Sequence, residues 1–292
     1  MKIFAPCYYE KFKCIADRCR HSCCVGWEID IDSDTEEKYS SLCDGYGKRI
    51  IESIDFSDTP HFKLGENERC PHLDGRGLCR IISEVGEDYL CDICREHPRF
   101  YNRTPRGLET GIGMACEEAC RIILSSDDYR DFYTVEDNCE EWEYDGFDAS
   151  LYRERILSIL DDRNFSFKEK LSNIYYLFNL SEISDGVLKN TLEKLEYLDP
   201  SHKELFLNAS FKELTSDREK YLERALAYFV YRHCTEVEDE SDFSANLGFC
   251  LFCEKLLASL DGDIFDTARI VSEELEYSEE NTETIKKFIL GI

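Results

Sequence analysis

The chain has 292 residues, with 62 acidic against 35 basic side chains, a formal charge of −27 and 16 cysteines. So negative a chain lacks the basic footprint that phosphates require, which excludes nucleic acid as a partner. No apolar run approaches the roughly 18 residues of a membrane span, so no membrane segment is expected.

A chain of this length buries about three-quarters of its unfolded surface, so disulfides are not needed in place of a core. The opening MKIFAPCYYEKFKC holds no unbroken apolar stretch of the signal-peptide kind. The expected location is the cytoplasm, where sixteen thiols point to metal or redox chemistry rather than structural disulfides.

In chain order, WEIDID (residues 27–32) alternates apolar and acidic residues and predicts a half-buried strand. Ser33 then opens SDTE, a candidate capping box with Glu36, for a helix running toward Tyr39. CRIISEVGEDYL (79–90) and CEEACRIIL (116–124) read as helices, the second with Cys116 and Cys120 on one face. Beyond residue 150, apolar stripes at helical spacing recur in LYRERILSIL, FKEKLSNIYYLFNL, GVLKNTLEKLEYL, REKYLERALAYFVYRH, FCLFCEKLLASL and TARIVSEEL. These predict about six packed helices. Thirteen of the 16 cysteines, five of six prolines and 11 of 15 glycines precede residue 150, so the first half is loop-rich. The expected fold is mainly α: a cysteine-rich, metal-binding region with short strands over 1–145, and a helical bundle over 146–292 packed against it.

The cysteines fall in blocks. Cys14-x4-Cys19-x3-Cys23-Cys24 comes first, then Cys70-Pro71 through Cys79, Cys91-x2-Cys94 and Cys116-x3-Cys120. Thiolates are soft, charged donors suited to zinc or iron–sulfur clusters. Short spacings let one loop supply two donors, and distant cysteines close the site. Proline directly after cysteine shapes such loops. The vicinal pair Cys23-Cys24 is expected to point its sulfurs apart. Cys43, Cys139, Cys234, Cys250 and Cys253 have no ligand-like grouping beyond one helical pair and are expected to be packing residues. A radical-enzyme spacing fails, since position 26 is glycine and position 123 isoleucine. His97, in Cys91-x2-Cys94-x2-His97, and His21, inside the first block, are candidates to flank or ligate a site.

Arg95, Arg99, Arg103 and Arg106 form the one basic concentration, interrupted by Pro98 and Pro105. It suits a carboxylate or a negatively charged cluster, or else simple pairing with Glu96 and Glu109. The glycines of GLETGIGMAC lack the strand–GxGxxG–helix pattern of a dinucleotide site.

FKCIADRCRHSCCVGWEIDID, CPHLDGRGLCRIISEVGEDYLCDICREHPRF, MACEEACRIIL, YFVYRH and ARIVSEELEYSEEN together resemble the flagellin lysine N-methylase family, within a broader group of cysteine-rich zinc- or iron-chelating proteins. The resemblance implies S-adenosylmethionine-dependent methylation of lysine side chains on flagellin. It also implies an iron–sulfur cluster, 4Fe–4S with zinc as the alternative. Position by position it places the family's cysteines on Cys14, Cys19, Cys23, Cys24, Cys70, Cys79, Cys94 and Cys116. The chain departs from it in having His97 where tyrosine is expected and in carrying Cys91 and Cys120 in addition.

Methyl transfer to lysine needs the neutral amine, of which less than about 0.1% exists at pH 7. The site must desolvate the amine or set it beside a carboxylate or tyrosine. With 17 tyrosines and 62 acids, the sequence singles out no base. The acidic surface suits a lysine-bearing protein partner. Two other classes remain: a non-enzymatic zinc- or iron-binding interaction module, and a metal chelator whose thiolates are the function.

Overall fold

A computed structural model describes residues 1–42, 45–138, 141–210 and 214–291. Cys43 and Cys139 lie outside the described residues. The chain divides into two compact units, Lys13–Pro98 and Met1–Phe12 with Arg99–Ile292. The division thus falls at residues 12 and 98 rather than at 145. Strand β1 (Lys2–Pro6) pairs with strands from 107–112 and 132–137, which makes the chain start part of the larger unit.

The smaller unit holds helices α1 (Ser33–Ser40) and α2 (Gly45–Glu52), a two-stranded ladder of β2 (Ile54–Asp55) and β3 (His61–Phe62), and two single-turn helices, α3 (Arg80–Glu84) and α4 (Asp92–Glu96). Ile29, Ile31, Tyr39, Ile50, Ile54, Phe62 and Ile81 are its buried apolar centre. The alternation in WEIDID sets burial correctly, with Ile29 and Ile31 inside, but not secondary structure. The segment makes only an isolated bridge, Asp30 to His61, because its ladder partner is two residues long. The cap of α1 is Asp32, one residue before the expected Ser33. The 79–90 helix breaks at Gly86, whose φ of 109° only glycine adopts comfortably, and continues as a 3-10 turn over Glu87–Tyr89.

The larger unit begins with a mixed sheet in the order β4-β5-β1-β6, where β4 is Arg99–Thr104, β5 Gly107–Ile112 and β6 Phe132–Asp137. β4 and β5 form a hairpin, β5 runs parallel to β1, and β6 antiparallel to it. At Gly107 a Cβ would lie 2.3 Å from the carbonyl oxygen of Lys2, so the parallel pair depends on glycine there. Helix α5 (Glu117–Ser125) follows β5. GLETGIGMAC therefore does join strand to helix, but α5 opens on Cys116, Glu117 and Glu118, and acidic residues there disfavour an anion.

Beyond residue 150 there are eight helices among the described residues rather than about six: α6 (Ser150–Asp161), α7 (Phe167–Leu177), α8 (Asp185–Leu192), α9 (Pro200–Leu207), α10 (Ser216–His233), α11 (Glu240–Ser259), α12 (Ile264–Val271) and α13 (Glu279–Leu290). The two additional ones, α9 and α13, lie outside the apolar stripes read from the sequence, and begin at the Asp199 and Ser278 caps. α11 is buried along most of its length, as its apolar composition requires. Cys234, Cys250 and Cys253 are fully buried in this core, as expected of packing residues. With thirteen α-helices against six strands among the described residues, the fold is mainly α. None of these helices is long and apolar enough to cross a membrane.

Candidate metal centre

In the smaller unit a few backbone contacts gather cysteines distant in sequence. Cys70 N–H donates to the Cys24 carbonyl at 2.8 Å, beside an antiparallel bridge between Val25 and Arg69. Residues 70–79 then fold back on themselves. Asp74 Oδ1 accepts from Arg76 N–H at 2.8 Å and Leu78 N–H at 2.9 Å, an Asx-type turn that brings Cys79 opposite Leu73. Cys91 begins α4 and sets Cys94 one turn on, with Arg95 N–H on the Cys91 carbonyl at 2.9 Å. Cys70 and Cys91 are buried in the unit's apolar cluster, and Cys24, Cys79 and Cys94 pack against it.

These five sulfurs lie close enough to feel one another's charge. Interaction between the Cys91 and Cys94 thiols lowers Cys91 and raises Cys94 as acids. Cys24 is lowered to about 7 by a hydrogen bond from Cys23, which outweighs burial, with Ser22 and Arg69 adding to the effect. Burial raises Cys70 to about 12, opposed by the His72 N–H aimed at its sulfur, while Cys24, Cys79 and Cys91 repel the developing charge. Burial also raises Cys79, against N–H donors from Ile82 and Ile81. Backbone amides directed at sulfur stabilise thiolates. Among the described residues, though, no three His, Cys, Asp or Glu side chains stand ready as a metal-ligand set. The donor chemistry, thiols gathered about one apolar cluster, is of the kind a soft metal or an iron–sulfur cluster uses.

The other expected ligands are placed differently. Cys14 is exposed and accepts from Ala16 N–H at 3.4 Å, and the half-buried Cys19 donates to the His21 carbonyl at 3.1 Å. Cys116 belongs to the larger unit, where its carbonyl accepts from Cys120 N–H at 2.8 Å at the start of α5. Cys120 is fully buried there and donates to the Phe265 carbonyl. His97 ends α4 at a cis bond to Pro98, its ring 6.4 Å from that of Trp27. His72 is buried with both ring nitrogens used, Nδ1 with Tyr46 Oη at 2.8 Å and Nε2 with Ser53 Oγ at 2.9 Å, so it is a core residue and not a donor to metal. Burial, with Arg80 nearby, lowers it to about 4 and keeps it neutral.

The arginine concentration disperses into local partners. Arg95 pairs with Asp92 and Glu96, and Arg106 with Glu109 at 3.1 Å. Arg99 donates to Tyr9 Oη at 3.0 Å, and Arg103 stacks on Trp142.

Sequence reasoning missed one polar cluster in the larger unit. Glu276, fully buried in the π-turn between α12 and α13, accepts from Tyr228 Oη at 3.1 Å and lies 2.6 Å from His233 Nε2 and 3.4 Å from Arg232 Nε. Burial opposes its charge, but Arg232 and His233 hold its carboxyl below the ordinary range. The segments YFVYRH and SEELEYSEEN, for whose side chains the sequence suggested no shared role, meet through this network. Their shared polar residues at helical spacing were the available signal.

No family model matches the chain, and no solved structure matches it. Among curated proteins it is similar to a Lysine-N-methylase of Salmonella typhimurium, 28% identical over 130 residues, covering 42% of this chain and 32% of that protein. The same identity and length hold for the Flagellar biosynthetic protein FliU of Salmonella muenchen, of which 77% is covered. The match thus spans about a third of the Lysine-N-methylase's length. Over that stretch the chain is similar to proteins named Lysine-N-methylase and Flagellar biosynthetic protein FliU.

Proposed function

We propose that this protein transfers methyl groups from S-adenosylmethionine to lysine side chains of flagellin in the cytoplasm, and that its smaller unit holds a cysteine-bound metal group, an iron–sulfur cluster of the 4Fe–4S kind in preference to zinc. The similarity to Lysine-N-methylase and FliU carries the reading of activity and substrate. The gathering of Cys24, Cys70, Cys79, Cys91 and Cys94 about one apolar cluster supports the metal group. The fourteen described cysteines are free thiols, as metal binding in a reducing compartment requires.

The chain's own contribution is to position and neutralise a lysine amine and to favour encounter with a basic target through its charge of −27. A bound cluster or zinc ion would organise the loops at 23–24, 70–79 and 91–94. The test is to incubate the full chain, purified without oxygen, with S-adenosylmethionine and flagellin, and to read methyl additions on flagellin lysines by mass spectrometry. Methylated lysine is expected. Donor binding without transfer to any lysine protein, or no donor binding, overturns the reading. A visible spectrum and metal analysis of the same preparation separate iron from zinc, since a colourless zinc-loaded protein rules out the cluster.

A further inference from the structure

We propose that the polar groove at the C-terminal end of α5 binds the α-amino-acid end of the methyl donor, with Tyr129 and Arg163 holding its carboxylate and Glu223 its ammonium group. This rests on the methyltransferase reading given above and locates a donor site that neither the sequence nor the relatives assign. The groove has a volume of about 490 Å³, within the range that small-molecule sites occupy. It lies wholly in the larger unit, among the turn after α5, the loop joining α6 to α7 and the first turns of α10.

Most of the charges that line it are already matched. Arg224 is paired with Asp127 and donates to the Leu124 carbonyl at 2.6 Å, and Lys220 lies 3.5 Å from Asp217. Three groups are not. Tyr129 is nine-tenths buried, yet its hydroxyl has no hydrogen-bond partner among the described residues. Burial, with Glu223 and Asp161 nearby, raises it to about 12 against Arg130 and Arg163, so it stays a phenol able to donate. Glu223 is fixed by the buried Lys170, whose ammonium donates to Oε1 at 2.6 Å and to the Leu160 carbonyl at 2.7 Å. Its Oε2 is left without a partner among the described residues. Arg163 is exposed and has no ion-pair partner among them either. A tyrosine that only filled space would be as well served by phenylalanine, because an unmatched buried hydroxyl costs stability.

These three groups select the ligand. Arg163 and the Tyr129 hydroxyl donate to an anion, while Glu223 Oε2 accepts from a cation. A phosphate would meet Glu223 with like charge. A lysine side chain would meet Arg163 in the same way and leave Tyr129 with nothing to donate to. An α-amino acid carries a carboxylate and an ammonium on one carbon, and the methionyl end of S-adenosylmethionine is such a group. A groove of this volume also has room for the adenosyl group that a free amino acid lacks.

The experiment measures binding to the full chain, purified without oxygen, by isothermal titration calorimetry. The ligands are S-adenosylmethionine, S-adenosylhomocysteine, L-methionine and methylthioadenosine, which keeps the nucleoside and lacks the amino-acid end. The proteins are wild type, Tyr129→Phe, Arg163→Ala and, as a control at another cation of the same unit, Arg155→Ala on α6. Tyr129→Phe and Arg163→Ala should each weaken S-adenosylmethionine and S-adenosylhomocysteine at least about tenfold and leave methylthioadenosine unchanged. Arg155→Ala should bind all four as wild type does. Wild-type affinity for S-adenosylmethionine in either groove variant, or an equal loss for methylthioadenosine, overturns the proposal and leaves the methyltransferase reading standing. L-methionine bound as tightly as S-adenosylmethionine assigns the groove to a free amino acid and overturns it as the donor site. If wild type binds neither S-adenosylmethionine nor S-adenosylhomocysteine, the methyltransferase reading fails and the proposal with it. Arg163 is exposed, so its replacement leaves the core untouched and decides the matter should Tyr129→Phe fail to fold.

Discussion

Asp32 is hydrogen-bonded to Asp92: the amide of Asp92 donates to Asp32 Oδ2 at 2.8 Å, while Oδ1 takes the amide of Thr35 at 2.9 Å. One carboxylate thus caps α1 and fixes the start of α4, the turn that carries Cys91 and Cys94. Burial opposes its charge, but the amides of Asp92 and Thr35 outweigh that and hold Asp32 below the ordinary carboxylate range. Asp32→Ala should cost about 1–2 kcal/mol in a urea titration, and Asp32→Asn less, because it still accepts. The depressed acid gives the sign with pH: the contribution is complete above the unfolded value near 3.9 and is lost as pH falls through the folded one.

A second expectation concerns Glu109 of β5 and Arg153 of α6, a buried pair at 2.7 Å with Arg106 at 3.1 Å on the outer oxygen. Arg153 also lies over the Tyr231 ring. Glu109→Ala leaves a buried guanidinium without its counter-charge and should destabilise by about 3–5 kcal/mol. Replacing both partners, Glu109→Leu with Arg153→Met, should recover most of that loss. Denaturant unfolding of the two variants measures the difference.

His202 reports on the turn between α12 and α13. Its Nδ1 is 2.6 Å from Glu274 Oε1, and Glu274 also accepts the amides of Leu198 and Asp199 at 2.9 and 3.1 Å. The hydrogen bond to Glu274 outweighs burial and raises His202 above its ordinary value. Stability from this pair is therefore fully present below about pH 6.5 and lost as pH rises through the higher folded value. Melting temperature should fall across that interval in wild type. The drop should be smaller in His202→Gln, and equal drops in the two proteins would remove His202 as its source.

The fourth expectation follows from the close approach of β5 to β1. Gly107 has φ 140° and no room for a Cβ against the Lys2 carbonyl, so Gly107→Ala must move backbone and not a side chain. A loss of at least about 1 kcal/mol is expected from the strain. Faster amide exchange should be confined to β1 and the strands it pairs with.

Much of this protein is determined by sequence alone. Helical spacing after residue 150 sets a mainly α fold, because burying one face of a helix requires apolar residues at that interval whatever the partner. The isolation of Cys234, Cys250 and Cys253 from turn-forming residues marks them as core. Short-range acids beside Arg95 and Arg106 already indicate pairing with Glu96 and Glu109, since those contacts span a few residues.

Tertiary structure alone decides which cysteines meet. Cys24 reaches Cys70 through one backbone hydrogen bond across 46 positions, and Cys79 through a turn shaped by Asp74. Neither contact leaves a periodic trace in the chain. The same is true of Cys91, whose neighbour Asp92 bonds Asp32 sixty residues away, and of Glu276, whose partners Tyr228, Arg232 and His233 lie on another helix. Local periodicity encodes which face of an element is buried. It does not encode which elements share a pocket, because that is set by loop closure and packing between segments far apart in sequence.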